Sequence, residues 1–536
     1  MQFVKRYFYA SISILLVACQ ASPTLQRPVP LPQQPLVQVY FNHTESSQYQ
    51  DPLRQQQRSG DDLEQKIVDA IASAKFTVDV AIQELRLPRI AQALIEKQKA
   101  GVKVRVILEN TYNRPWSELT AVEVGKLAPR DRLRYAEIRQ LSDLDGNGEL
   151  SSDEISQGDA VLILRQAKVP LIDDTADGSA GSNLMHHKFV VVDNRTLIIT
   201  SANFTSSDIH GDITNPQSTG NANNLVQIDS LELASLFTEE FNLMWGDGVD
   251  KLADSKFGIQ KPVRPARQLQ VGNIAIEVQF SPNSATLPWS QSTNGLIGKT
   301  LNTSNQSVDI ALFVFSEQRL ANILASEHES GVQIRALIDP DFIYRPYSEA
   351  LDMMGVSLAN DCKYEADNHP WQNAIATVGV PLLVKGDLLH HKFAVIDKQI
   401  AIAGSHNWSQ AANHSNDEAL LVIHSPIVAA HYEQEFERLY SNAQLGLPDS
   451  LQQKIQKSQK QCPSVQTNVS VQLGAKVNIN TATATELAAL PGVGEKLAQR
   501  IIQARQQKPF TSLSDLDRVP GVGEKLLQKL GDRITW

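Results

Sequence analysis

Two stretches of this chain carry the same uncommon combination of side chains. "HHKFVVVDNRTLIITSANFT" begins at His186 and "HHKFAVIDKQIAIAGSHNWS" at His390. The first holds His186, Lys188, Asp193, Ser201 and Asn203; the second repeats that order as His390, Lys392, Asp397, Ser405 and Asn407. Read as a strand, each "HHKF" puts an imidazole and an ammonium on one face and the second histidine with the phenylalanine on the other. A buried strand that sets two such groups side by side needs an anion between them. Imidazole serves as nucleophile or acid near neutral pH, and lysine ammonium and asparagine amides grip oxygens that gather charge. Displacement at phosphorus, with one histidine on each side, is the chemistry these residues suit.

The elements that must position them are also duplicated. "FTVDVAIQELRLPRIAQALIEKQKAGVKVRVILEN" matches "QSVDIALFVFSEQRLANILASEHESGVQIRALIDP". In each, a β-branched strand (Val78–Ile82, Val308–Leu312) leads to an amphipathic helix, a Gly-Val turn and a second strand. Both copies run on into Arg-Pro-aromatic-Ser-Glu, Arg114 to Glu118 and Arg345 to Glu349. Alternating strands and helices predict parallel pairing and an α/β sandwich in each half. The halves span 38–247 and 272–446, joined by a polar linker at 248–271.

The doubled pattern, running through Gly404 in the second copy, closely resembles the phospholipase D superfamily, also called the HKD family. The resemblance implies two pseudo-symmetric α/β/α repeats that meet about a twofold axis and share one site, each copy being half of it. It further implies a phosphohistidine route with His186 as nucleophile and His390 as general acid, and no metal or other cofactor for catalysis. Asp193 and Asp397 are expected to orient local backbone. Glu418 resembles the family carboxylate that fixes the tautomer of a catalytic histidine. The first half departs here: "NANNLVQI" aligned with "NDEALLVI" places Asn223 opposite Glu418, and Thr200 stands where the second half has Gly404. Histidines of unequal basicity are expected.

Gly101 and Gly331 are 230 residues apart, whereas His186 and His390 are 204 apart, so the first half holds 26 extra residues before its histidine. Most of them fall around 121–158, where "DLDGNGELSSDE" fits an EF-hand-like calcium loop: Asp143, Asp145, Asn147, Glu149 and Glu154 would be ligands and Gly148 the turn. A structural Ca²⁺ is the cation this implies; a solvated acidic loop is the other reading.

Composition bounds the rest. The 536 residues carry a net charge of −10 and 42% apolar side chains, those of a soluble multidomain protein whose surface as a whole does not attract nucleic acid. "MQFVKRYFYASISILLVACQ" has a basic start and a short apolar run ending at Cys19, which resembles a lipoprotein signal: 1–18 would be cleaved and Cys19 lipidated, leaving 19–37 as a Pro/Gln-rich tether. That predicts an extracytoplasmic protein anchored to a bacterial membrane. Cys362 and Cys462 remain, as a pair or as two thiols. Residues 447–475 read as a second linker.

The C-terminal segment 476–536 repeats "PGVGEK" at an interval of 29 residues and carries nine Lys/Arg against six Asp/Glu. It resembles a tandem helix-hairpin-helix domain like those of competence receptors, small and all-α. That resemblance implies sequence-independent contact with DNA backbone through Gly492, Val493, Gly494, Lys496, Gly521, Val522, Gly523 and Lys525. Together the features predict a monomeric, lipid-anchored nuclease. Two readings stand beside it: a phospholipase D acting on phospholipid headgroups, and a surface DNA receptor with little turnover.

Overall fold

A computed structural model describes residues 27–249, 254–365, 367–461 and 477–536, apart from 483–486, 488–489, 491–492, 494, 524–525, 528–529 and 532. Cys19, Cys462, Gly492, Gly494 and Lys525 lie outside the described residues, as does the side chain of Lys496. Cys362 is disulfide-bonded.

Each half is built on a sheet whose strands are apolar on both faces. In the first the order is Val37–Phe41, Asn224–Asp229, Thr196–Thr200, Lys188–Val192, Thr77–Ile82, Lys103–Leu108 and Leu171–Asp173. Parallel pairing holds for the last three strands. The other pairs are antiparallel, because Lys188–Val192 and Thr196–Thr200 form a hairpin whose turn residues Asp193 and Asn194 take positive φ. The second sheet repeats this mixed pattern around Ser307–Leu312, Gln333–Ile338, Lys392–Ile396, Ile400–Gly404 and Asn416–His424.

Alternation along the motif strands sorts their side chains between two cores. Phe189 and Val191 join Phe393 and Val395 in one cluster shared by both halves, with the helices Leu231–Trp245 and Pro426–Tyr440 packed into it. Val190 and Val192 face the outer core of the first half beneath the helices Leu63–Ser73 and Pro88–Lys99. Ala394 and Ile396 do the same in the second. Phe237 and Phe280, one from each half, meet edge to face at 4.9 Å inside the shared core. Burying the large aromatics here holds the two lobes as one body, at roughly 1.5–3 kcal/mol for each ring removed from water.

The seam between the sheets is backbone-bonded. Leu184–Met185, just before His186, pairs in parallel with Asn416–Asp417 of the other half, and Leu389, just before His390, bridges Ala222. These two contacts are the pseudo-twofold in miniature.

Segments that read as linkers do more than connect. Within 248–271, Lys261 is buried and paired with both Glu240 and Asp417, and Arg267–Val271 is a strand of the second sheet. Within 447–475, the helix Asp449–Gln461 buries Leu451 and Ile455 in the second outer core. The supposed tether is docked by Gln33, whose side chain bonds the backbone of Val39 at both ends. Polar composition concealed these contacts because the buried groups, Phe257, Lys261, Leu269 and Val271 in the first segment and Leu451 and Ile455 in the second, are spread among polar neighbours.

The insertion forms the helices Pro129–Ser142 and Ser152–Gly158 around the acidic loop. The C-terminal unit has its own core, with the helix Glu495–Gln507 and the 3-10 turn Leu513–Arg518 closed by pairing of Val477–Asn478 with Ile534–Thr535.

Candidate active site

The seam brings both histidines to one place. The His186 N–H donates to the Asp417 carbonyl at 3.0 Å and the His390 N–H to the Ala222 carbonyl at 3.1 Å, so each catalytic strand is hung from the opposite lobe. Their side-chain partners also cross over. Nδ1 of His186 lies 2.6 Å from Oε2 of Glu418, and Nδ1 of His390 lies 3.0 Å from Oδ1 of Asn223. With Nδ1 engaged on each ring, Nε2 is the nitrogen left to face a substrate.

Ser201 and Ser405 set those partners. Ser201 Oγ donates to Asn223 Oδ1 at 2.7 Å and accepts from Asn224 N. Ser405 Oγ accepts from Ala419 N at 3.1 Å and hydrogen-bonds the Glu418 carboxylate. The lysines curl back on their own strands: Lys188 Nζ donates to the His186 carbonyl and Lys392 Nζ to that of His390. Asn203 and Asn407 each keep a buried Oδ1 without a partner. An amide oxygen only accepts, so the group of these asparagines that can meet an oxyanion is Nδ2.

The electrostatics show what kind of ligand. Burial, reinforced by Lys188 and Lys392, pushes both catalytic imidazoles well below their ordinary range. Burial lowers Lys188 to about 8; burial and the charge of Lys188 bring Lys392 to about 7. Burial raises the Glu418 carboxyl. Two lysines and two imidazoles buried together suit an anion.

Asp193 and Asp397 sit at the far ends of their strands. Each carboxylate accepts three backbone N–H groups, from Lys75, Phe76 and Thr77 and from Asn305, Gln306 and Ser307, at 2.7–2.8 Å. Desolvation opposes ionisation there, and those N–H groups overcome it to hold both carboxyls below their usual range. They brace a turn and do not approach the phosphate site.

The departure at Thr200 has a backbone cause. Gly404 takes φ +131° with the Ala419 carbonyl 2.2 Å from where a Cβ would lie. Thr200 escapes that conformation, and its hydroxyl donates to the Asn224 carbonyl at 2.5 Å instead.

Three site residues went unnoticed in the sequence. Gln83 accepts a 3.0 Å hydrogen bond from Lys188, while at the matching place Phe313 stacks edge-on to His390 at 4.9 Å and lies under Lys392. Both directly follow the duplicated strands, so comparing the repeats one residue further would have exposed them. Asp208, 4.0 Å from His390 Nδ1, gave no such signal, because the equivalent position is Ala412.

Elsewhere, Asp143, Asp145 and Glu154 bring ligand atoms within 4.8 Å of one another. Asn147 bonds Asp145, and Glu149 is exposed and outside that cluster: its side chain points to solvent where the template uses the backbone. In the hairpins, Val493 and Val522 are buried in the C-terminal core, which leaves their backbone rather than their side chains for contact; Gly521 takes φ +98° and Gly523 faces open space.

Paired sheets with one histidine and one lysine from each half define a phosphodiesterase of the two-motif type. The chain belongs to the phospholipase D-like family described as "Cardiolipin synthase, PLD-like domain", which matches residues 67–245 and 297–440. A separate helix-hairpin-helix motif matches 473–535. The chain is similar to the mitochondrial cardiolipin hydrolase of Xenopus laevis, 28% identical over 34% of this chain and 78% of that one. It is also similar to a phospholipase D of Rickettsia bellii, 26% identical over 26% of this chain and 60% of that one. Among solved structures, the phosphatidylserine synthase of Haemophilus influenzae aligns over 81% of this chain and 95% of its own, with 12% identity and a TM-score of 0.45.

These relatives correct the expected nuclease. Mitochondrial cardiolipin hydrolases and a phospholipase D are among the curated proteins this chain resembles, over 26–34% of its length. The error has a physical origin: two histidines and two lysines recognise a phosphodiester, whatever alcohols it joins. The helix-hairpin-helix unit reports on what the chain can touch, not on what it cuts.

Proposed function

We propose that this protein is a phospholipase D-type enzyme that hydrolyses the phosphodiester of a membrane phospholipid headgroup. The observation that carries the reading is the pair of histidines, each held by a side chain of the opposite half, in a chain similar to cardiolipin hydrolases. In the reaction, Nε2 of His186 attacks phosphorus while Nε2–H of His390 protonates the leaving alkoxide. Lys188, Lys392, Asn203 and Asn407 hold the non-bridging oxygens. Water then attacks the phosphohistidine, with His390 taking its proton, and phosphatidic acid leaves. No step needs a metal.

The test uses purified protein and vesicles of cardiolipin, phosphatidylglycerol or phosphatidylcholine in EDTA, with phosphatidic acid as readout. Product from wild type and none from His186→Ala is expected. Absence of phosphatidic acid from every vesicle would overturn the reading.

Three further proposals complete it. Lipidation at Cys19 would hold the enzyme at an extracytoplasmic membrane face, beside its substrate. The helix-hairpin-helix unit, net positive on an acidic chain, would bind nucleic-acid backbone, with affinity that falls steeply with salt. Asp143, Asp145 and Glu154 would hold a structural Ca²⁺: the donors are hard oxygens, and Asp143 Oδ1 is buried without a partner. Calorimetric titration with Ca²⁺ that releases no heat would dispose of that brace.

A further inference from the structure

The two catalytic histidines have unequal support. Nδ1 of His186 meets a carboxylate, whereas Nδ1 of His390 meets an amide. The orientation of that amide is fixed: Asn223 Nδ2 donates to the carbonyls of Asp208 at 2.9 Å and Asn221 at 3.3 Å, so Oδ1 must face Ser201 and His390. An acceptor there requires a hydrogen on Nδ1 of His390, which settles the tautomer. An amide cannot balance the full charge of an imidazolium, and the surroundings make that charge costly. Lys392, Lys188, His186 and His391 all bear on His390, with Glu418 behind His186 and Asp339 behind Leu389.

One carboxylate stands close on the His390 side. Asp208 is 4% exposed, and its Oδ1 lies 4.0 Å from Nδ1 of His390. Oδ1 also accepts from Asn221 Nδ2 at 2.5 Å, and Oδ2 accepts from the backbone N of Asn203 at 2.7 Å. The second half has Ala412 at this place, since Glu418 already contacts its histidine. Each half therefore places one buried carboxylate near the histidine of the other: Glu418 in contact with His186, and Asp208 4.0 Å from His390, where its charge also reaches His186, Lys188, Lys392 and Arg134.

We infer that Asp208 is the charge partner of His390, a positioning residue whose carboxylate, 4.0 Å from Nδ1, stabilises the imidazolium form of the general acid beside Asn223. This rests on the phospholipase D-type reading and adds to it a division of labour. A carboxylate in contact makes His186 the stronger base and nucleophile; one held further back leaves His390 the stronger acid.

The experiment compares wild type with Asp208→Asn on two diesters: a phospholipid, whose alkoxide must be protonated as it leaves, and bis(p-nitrophenyl) phosphate, whose phenolate leaves unaided. Asp208→Asn should lose about 100-fold on the phospholipid and less than about threefold on the nitrophenyl diester, the difference expected when general-acid help is withdrawn. The alkaline limb of kcat/KM on the phospholipid should move to lower pH, because the imidazolium gives up its proton sooner, and Asp208→Glu should restore much of it. Where Asp208→Asn does not fold, Asp208→Ser retains an acceptor for the Asn203 N–H and gives the same readouts. Equal losses on both diesters with an unmoved alkaline limb would overturn the inference, because a packing defect predicts that result. Wild type that cleaves the nitrophenyl diester but no phospholipid would overturn the substrate reading instead; glycerophosphocholine, which keeps an alkoxide leaving group without acyl chains, then replaces the phospholipid in the readouts that decide on Asp208. Wild type silent on both would overturn the two together.

Discussion

Nδ1 of His186 lies 2.6 Å from Oε2 of Glu418, and the two residues come from opposite halves of the chain. Neither repeat therefore holds a complete histidine site, and the duplication is functional. Glu418 is fully buried, so its charge acts on His186 with little screening by water. Glu418→Gln keeps an acceptor for Nδ1 but removes the charge, making His186 like His390. Turnover of phospholipid is expected to fall about 10- to 100-fold, or roughly 1.4–2.7 kcal/mol in the barrier, with KM little changed. Steady-state kinetics check this, and wild-type kcat in the variant would remove Glu418 from the mechanism.

The buried lysines predict how anion binding depends on pH. Lys188 and Lys392 titrate near 8 and 7 in the folded protein, and near 10.5 when unfolded. Between those values the unfolded chain binds more protons, so stability falls as pH drops from about 10.5 through 8 and 7. Below about 7 their penalty is complete; above about 10.5 it is gone. An oxyanion between the ammonium groups offsets the penalty and draws protons onto them. Inorganic phosphate should raise Tm more at about pH 7 than at about pH 9.5, and its binding at about pH 8.5 should take up protons. Calorimetry in buffers of different ionisation enthalpy measures the uptake; heats independent of buffer would contradict it.

What could be read in advance followed from the scale of each signal. The duplicated strand–helix–strand and the two His-x-Lys motifs are carried by many residues at fixed spacing, and the fold and the pairing of halves follow from them. The antiparallel return of Lys188–Val192 was missed because alternation of strand and helix says nothing about a hairpin that follows. Asp208 was missed because its role depends on a residue from the other half, and Lys261 because one buried ammonium does not alter the polar character of its segment. The substrate was misread because the catalytic groups recognise phosphorus and not the alcohol.

Lys261 is expected to be the most sensitive position of the inter-repeat segment. Its buried ammonium pairs with Glu240 of the first half and lies 2.5 Å from Asp417 of the second, whose carbonyl holds the His186 N–H. Glu240 also contacts Arg264 and His187. Lys261→Met removes one cation and leaves two buried carboxylates short of charge, a change that typically costs about 3–5 kcal/mol. Urea denaturation should show that loss, and turnover should fall with it because the seam beneath His186 loosens. A loss below about 1 kcal/mol would mean that Arg264 alone balances the cluster.

Glu349 should behave in the opposite sense. Desolvation, helped by the charges of Asp352, Glu365 and Asp367, pushes its carboxyl up to about 10. The folded state thus binds a proton that the unfolded state, titrating near 4.5, has already lost at neutral pH. Stability is greatest below about 4.5 and declines as pH rises toward 10, the reverse of an ordinary salt-bridged carboxylate. Glu349→Gln supplies the neutral form permanently, so it should equal or exceed wild type in Tm at pH 7, with a margin that grows toward pH 9. A variant less stable than wild type at both pH values would show that Glu349 is ionised and engaged by a cation, and would remove this carboxyl as a source of alkaline instability.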